Sequence, residues 1–188
     1  MKTIPVIMKK AIFCIVVLFL CSITSHAQLS VAKMIGKDAE KFGLGYGIFT
    51  YFDIPLRNEN QSVRLELVDF TIFPTKGENL FTSTKEMRGY LSIKLGYKYV
   101  FSETRTGFYL LPSLGYVKTM LSNEGEDLTD SDGIAAALEG GYALEVGQRG
   151  HSINLGLKYE YDRGDAMHTI QSIGLRFSYA FGLFGRRE

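Results

Sequence analysis

Hydrophobic positions recur at every second residue along most of this chain. Ile173, Leu175, Phe177, Tyr179, Phe181 and Leu183 share one face of the last such segment. Ser172, Gly174, Arg176, Ser178, Ala180 and Gly182 share the other. Period-two alternation predicts a β-strand whose two faces meet different surroundings. Ile153 to Asp162 repeats the pattern, with Leu155, Leu157 and Tyr159 opposite Asn154, Lys158 and Glu160. So do Leu91 to Phe101, Phe108 to Val117, Ile134 to Val146 and Phe42 to Ile54. A further segment starts at Val63, Leu65 and Leu67, but Val68, Phe70 and Ile72 fall out of phase with them. That slip predicts a β-bulge near Leu67. Pro112 interrupts an otherwise regular segment, and the alternation alone does not explain it.

The connections alternate in length. Residues 102–107 and 148–151 read as short turns, whereas 74–87, 118–133 and 163–171 are longer, polar and rich in turn residues. Transmembrane barrels place short turns on the periplasmic side and longer loops outside. Counted back from the C-terminus, the seven clear segments leave Phe42–Ile54 starting outside. An even strand count therefore needs one strand more, and residues 29–35 are the candidate. The expected fold is an all-β, antiparallel, up-and-down transmembrane barrel of eight strands.

The N-terminus changes the accounting. Lys9 and Lys10 precede an apolar run from Ala11 to Thr24, and Ser25-His26-Ala27 offers a small–x–small cleavage site. The run is 14 residues long, short of the ~20 that a spanning helix needs. Residues 1–27 are read as a cleaved signal peptide and 28–188 as an outer-membrane β-barrel domain. The leader takes both cysteines, Cys14 and Cys21, so the exported domain has no disulfide framework. It also takes Lys2, Lys9 and Lys10, leaving 18 basic against 20 acidic side chains. That balance gives no electrostatic footprint for nucleic acid.

Alternation does not say which face points outward, since a lipocalin-type barrel keeps its apolar face inside. Three features favour the inverted arrangement. The mixed face carries small residues and balanced charge: Arg64, Lys94, Lys98, Lys158 and Arg176 against Glu66, Glu139, Glu145, Glu160 and Asp162. These ten are the candidate lumen ion-pair network. Aromatics cluster at segment ends, with Tyr97, Tyr99, Phe101 and Phe108 at one level and Tyr159 and Tyr161 at the other. The segments also exceed the ~5–6 residues of an average soluble strand. On this face assignment, Leu175→Arg is expected to impair assembly and Ser178→Ala to be nearly silent.

The pattern, with the Gly-Tyr dyads at 45–46, 96–97, 115–116 and 141–142, resembles the small eight-stranded outer-membrane barrels. It is similar to the OmpA/OmpX-like class, and to the short outer-membrane barrel (porin-family) proteins of Bacteroidota. The resemblance implies a Gram-negative outer membrane, contact with its lipid and lipopolysaccharide, and insertion by the barrel-assembly machinery. Members usually end on an aromatic residue; Phe181 and Phe184 fit, but Gly185-Arg-Arg-Glu188 follows.

An eight-stranded barrel has room inside for little more than its own side chains. The expectation is therefore a filled lumen and a structural or surface-interaction role, with loops 74–87, 118–133 and 163–171 open to an extracellular partner. The alternatives are a narrow porin-like channel or a soluble periplasmic lipocalin-like cup. Asp130-Ser131-Asp132-Gly133, followed by Glu139, is similar to part of a calcium loop, but Leu128 stands at its first ligand position. That segment is read as a solvated loop, with no metal and no cofactor. Lipid A deacylases of similar shape carry a His and a Ser two residues apart at the outer rim. Here Ile170 stands two residues after His168, and no enzyme is expected.

Overall fold

The computed structural model describes residues 28–180 except 38, 59, 79–85, 104, 123–128, 147–150 and 165–168. The leader, the C-terminal aromatics and His168 lie outside the described residues. Eight strands follow one another: β1 (Gln28–Met34), β2 (Leu44–Pro55), β3 (Gln61–Pro74), β4 (Met87–Val100), β5 (Gly107–Ser122), β6 (Thr129–Val146), β7 (His151–Arg163) and β8 (Thr169–Ala180). Each pairs antiparallel with the next, and β1 pairs with β8 to close the barrel. The weak segment at 29–35 is therefore a strand. It is also the shortest, at seven residues.

The apolar face points outward. Leu29, Ile48, Leu95, Leu114, Ile134, Leu157 and Leu175 are all exposed, while nine of the ten predicted lumen charges are buried. This polarity overturns the lipocalin-like alternative, in which the apolar face would line a cup. Hydrocarbon offers no hydrogen-bond partners, so a closed barrel is the arrangement in which strands can span it. The chain is a transmembrane β-barrel.

Two local irregularities have physical accounts. In β3 the pairing with β4 shifts between Glu66 and Asp69, as the phase slip predicts. The bulge turns Leu67 and Val68 both toward the outer face and returns Asp69, now 1% exposed, to the lumen. In β5, Pro112 keeps its register with Leu138 of β6. On the β4 side, paired positions stop at Gly96↔Ser113 and resume at Tyr99↔Leu110. Pro112 lies in that gap, so the ladder is interrupted on the β4 side alone while the β6 side continues.

The segment 118–133 departs from its sequence reading as a loop. Lys118↔Asp132, Thr119↔Ser131, Met120↔Asp130 and Leu121↔Thr129 are paired, so β5 and β6 continue as a ribbon and the connection contracts to 123–128. Likewise Thr169, Ile170 and Gln171 belong to β8. Below the ribbon, Tyr99 packs edge-on against Phe101 and Phe108 edge-on against Tyr142 near the short turns.

Ser178 requires a revision of the expected silent substitution. Its side chain is 2% exposed, with Oγ 3.0 Å from the Tyr51 hydroxyl, and it accepts from Asn154 Nδ2 at 3.2 Å. Ser178→Ala should therefore lower stability by about 1–2 kcal/mol, because it strips partners from buried polar groups. Leu175→Arg, at a position 66% exposed to lipid, should cost about 2–4 kcal/mol near the midplane. Urea unfolding of the barrel in lipid vesicles, followed by boiled-against-unboiled gel mobility, measures both. Equal tolerance of the two would refute the face assignment.

Candidate functional site

The lumen holds the candidate site, and its residues stack in levels along the barrel axis. Inward positions of β2, β3, β4 and β7 build the periplasmic level. Arg64 donates to both oxygens of Asp53, from Nε at 2.7 Å and Nη2 at 2.8 Å. Its guanidinium lies 3.6 Å from the Tyr51 ring centroid. Lys98 donates to Asn154 Oδ1 at 2.9 Å and stands 4.5 Å from the Tyr109 ring centroid. Val100, Tyr109, Leu111 and Ala143 form an apolar cluster beside it.

Arg176 dominates the next level. It pairs with Glu66 across the lumen, donates to Glu139 Oε2 at 2.9 Å, and lies 3.5 Å from the Phe49 ring centroid. Tyr109 donates to the other Glu139 oxygen at 2.5 Å. Space for that phenol comes from two inward glycines. A Cβ at Gly141 or Gly156 would stand 2.6 or 2.8 Å from the Tyr109 hydroxyl.

Above this, Lys94 is the hub. Its ammonium donates to Asp69 at 2.6 Å and to Ser92 at 2.9 Å, lies 3.3 Å from Glu66, and pairs with Glu160. Lys158 pairs with Asp69 and Glu160 as well, and Tyr90 donates to Glu160 at 2.8 Å. Beside these groups a small void lined by Tyr90, Lys158, Glu160 and Arg176 is at the lower limit for a single water. The outer end is apolar: Met34, Phe42, Phe73, Val117, Ala135 and Ile170 cluster there, none more than 1% exposed.

Asp162 sits between the charges and this cap. It is 0% exposed, its ladder neighbours are Ala135 and Ile170, and neither carboxylate oxygen has a hydrogen-bond partner. Glu160, on the same inward face, is fully engaged by Lys94, Lys158 and Tyr90. A buried carboxylate without a donor costs several kcal/mol relative to water.

The structure thus brings Arg64, Glu66, Lys94, Lys98, Glu139, Lys158, Glu160 and Arg176 into polar contacts inside the barrel. Asp162 is buried beside them without a hydrogen bond. Glu145 is a correction. It shares the inward phase, but it lies at the periplasmic end of β6, where the lumen opens, and it is exposed. Sequence reasoning missed Asp69, Asp53, Tyr51, Tyr90, Tyr109 and Asn154. Reading the bulge through to the next residue would have placed Asp69; the inward tyrosines have no comparable sequence signal.

The calcium-like segment does not converge. Asp130 and Asp132 are exposed on the outer face of β6, whereas Glu139 is buried in the lumen. Lys118 pairs with Asp130 above the lipid band, and that hydrogen bond holds the Asp130 carboxyl below its usual range. Among the described residues no group of three acids, histidines or cysteines could hold a metal ion. His151 opens β7, and its ring stacks on Tyr179 at 6.0 Å. Ile170, two residues after His168, is buried in the outer cap.

No family model matches the chain, and no curated protein matches its sequence. Solved structures do match in fold. Neisserial surface protein A superposes with a TM-score of 0.61 at 16% identity, over 84% of this chain and 95% of that one. The outer membrane enzyme PagL gives 0.49 at 14% identity, over 81% and 98%. Ail, the attachment invasion locus protein of Yersinia pestis, gives 0.46 at 14%, over 83% and 92%. The chain shares with Neisserial surface protein A the fold of a closed eight-stranded outer-membrane barrel.

Two substitutions separate the paired from the unpaired lumen charges. Lys94→Met removes the ammonium shared by Asp69, Glu66 and Glu160, leaving them only Lys158, Arg176 and Tyr90, and should destabilise the barrel by about 3–5 kcal/mol. Asp162→Asn removes a charge that has no donor and should leave stability unchanged or raise it. Urea midpoints of the two variants at neutral pH check both; a large loss on Asp162→Asn would show that a donor reaches it.

Proposed function

We propose that this protein is an integral outer-membrane barrel of a Gram-negative bacterium, with a structural or surface-interaction role, no catalytic activity, and no solute pathway through its centre. The observation that carries this reading is the stacking within the lumen. The Lys94–Lys158–Arg176 ion cluster lies between the Val100–Leu111 layer and the Phe42–Ile170 cap. An ion would have to displace both apolar layers and break charge-assisted hydrogen bonds worth roughly twice a neutral one. Function then falls to the outer connections at 35–41, 75–86, 123–128 and 164–168, since binding residues concentrate on loops held by a rigid scaffold. Export through a cleaved leader at residues 1–27 and insertion by the assembly machinery complete the proposal.

The test is conductance of the refolded protein in planar lipid bilayers. The expected result is a current indistinguishable from that of the bare bilayer, for wild type and for Glu139→Gln alike. A steady conductance whose ion selectivity changes with Lys94→Gln or Glu139→Gln would replace this reading with the narrow channel.

A further inference from the structure

The outer rim is not electrically uniform. On the β5–β6 side the outward cation Lys118 is already neutralised by Asp130. On the β7–β8–β1 side the outward cations are Lys33 and Arg163. Lys33 continues the lipid-facing row of Leu29 and Val31, and Arg163 that of Tyr159 and Tyr161. Neither makes an ion pair among the described residues. Lys33 Nζ bends upward to donate to the Phe42 carbonyl at 3.0 Å, as an ammonium at an apolar boundary does to leave hydrocarbon. Lys37, in the turn above, is exposed, and Glu40 is the wedge's one exposed acid among the described residues.

The register sets the spacing. Lys33 pairs with Ile173 of β8 and Arg163 with Thr169, four residues further along the same strand. With ~3.4 Å per residue and two strand spacings of ~4.8 Å, the two Cα atoms are about 16 Å apart. Between them, the Tyr161↔Gln171 rung offers an aromatic ring and an amide on the same outward face. Two cations thus flank a polar and aromatic step directly above the apolar band, at the height of lipid headgroups.

We propose that this wedge binds the phosphorylated headgroup of an outer-leaflet glycolipid, with Lys33 and Arg163 as the phosphate partners and Tyr161 and Gln171 against the sugar. The occupant is a lipid, not a soluble anion, because the apolar band begins on the rung of Lys33 itself, with Leu44, Ile173 and Tyr159, and receives the acyl chains. The inference rests on the membrane orientation proposed above, but not on a sealed lumen.

The test uses the folded barrel in detergent micelles and native mass spectrometry with lipid A bisphosphate and its phosphate-free form. Wild type should bind the bisphosphate, and the phosphate-free lipid much more weakly. The double variant Lys33→Gln/Arg163→Gln should bind the bisphosphate about thirtyfold more weakly, and each single variant about fivefold. Lys118→Gln should bind like wild type. The heat-dependent gel shift verifies that each variant is folded; both positions lie outside the ion network, and the single variants serve should the double fail to fold. Unchanged affinity of the single or double variants, or equal binding of the phosphate-free lipid, would overturn the proposal. Displacement by millimolar inorganic phosphate would also overturn it, in favour of a free-anion site. Conductance does not enter any of these outcomes, so a channel and an empty wedge are separately detectable.

Discussion

Inside a bilayer no water completes a backbone hydrogen bond, so a sheet that crosses it must close on itself. In this protein closure rests on β1. Seven residues, Gln28 to Met34, are paired on one side to Arg176 and its neighbours on β8, and five of them, Leu29 to Lys33, on the other to Tyr46 and its neighbours on β2. Every other strand has 12 residues or more. The thinnest part of the wall is also the part without which β8 and β2 would each present an open edge to lipid. The charged lumen depends on the same closure, since it is closure that keeps the network out of hydrocarbon.

The network is built across the barrel more than along its strands. Arg176 of β8 meets Glu66 of β3 and Glu139 of β6, and Lys94 of β4 meets Glu160 of β7. Tyr51 of β2 stands against Ser178 of β8, and Asn154 of β7 donates to its hydroxyl. Such contacts fix the barrel's cross-section in a way that ladder bonds alone do not. Ion pairs of this kind contribute less to net stability than their number suggests, because desolvation offsets much of the attraction. Their larger effect here is to fill the space that a solute would need.

Much of this was legible in the sequence because a period of two survives in strands whose faces meet lipid and protein. Leu175 and Arg176, or Leu95 and Lys94, announce their sides. What was not legible depended on breaks in that period or on position along the axis. Asp69 reaches the lumen through a bulge, and only the phase that resumes at Val68 and Phe70 places it there. Glu145 has the right phase at the wrong height. Residues 118–133 read as loop in the sequence because the ribbon is polar on both faces, with Lys118, Asp130 and Asp132 outward and Thr119 and Ser131 inward. For the proposed surface role no comparable code exists: loop chemistry carries no periodicity to read.

The transverse wiring also constrains how the molecule can be made. A partly assembled sheet of β3 to β6 would hold Glu66, Lys94 and Glu139 but lack Arg176 and Lys158, which arrive with the last two strands. Its concave side would carry charges without their cross-barrel partners, which hydrocarbon does not accept. The ion network is therefore complete only in the closed barrel. Gln28–Met34, although the first strand in sequence, can complete the wall only when both β2 and β8 are in place.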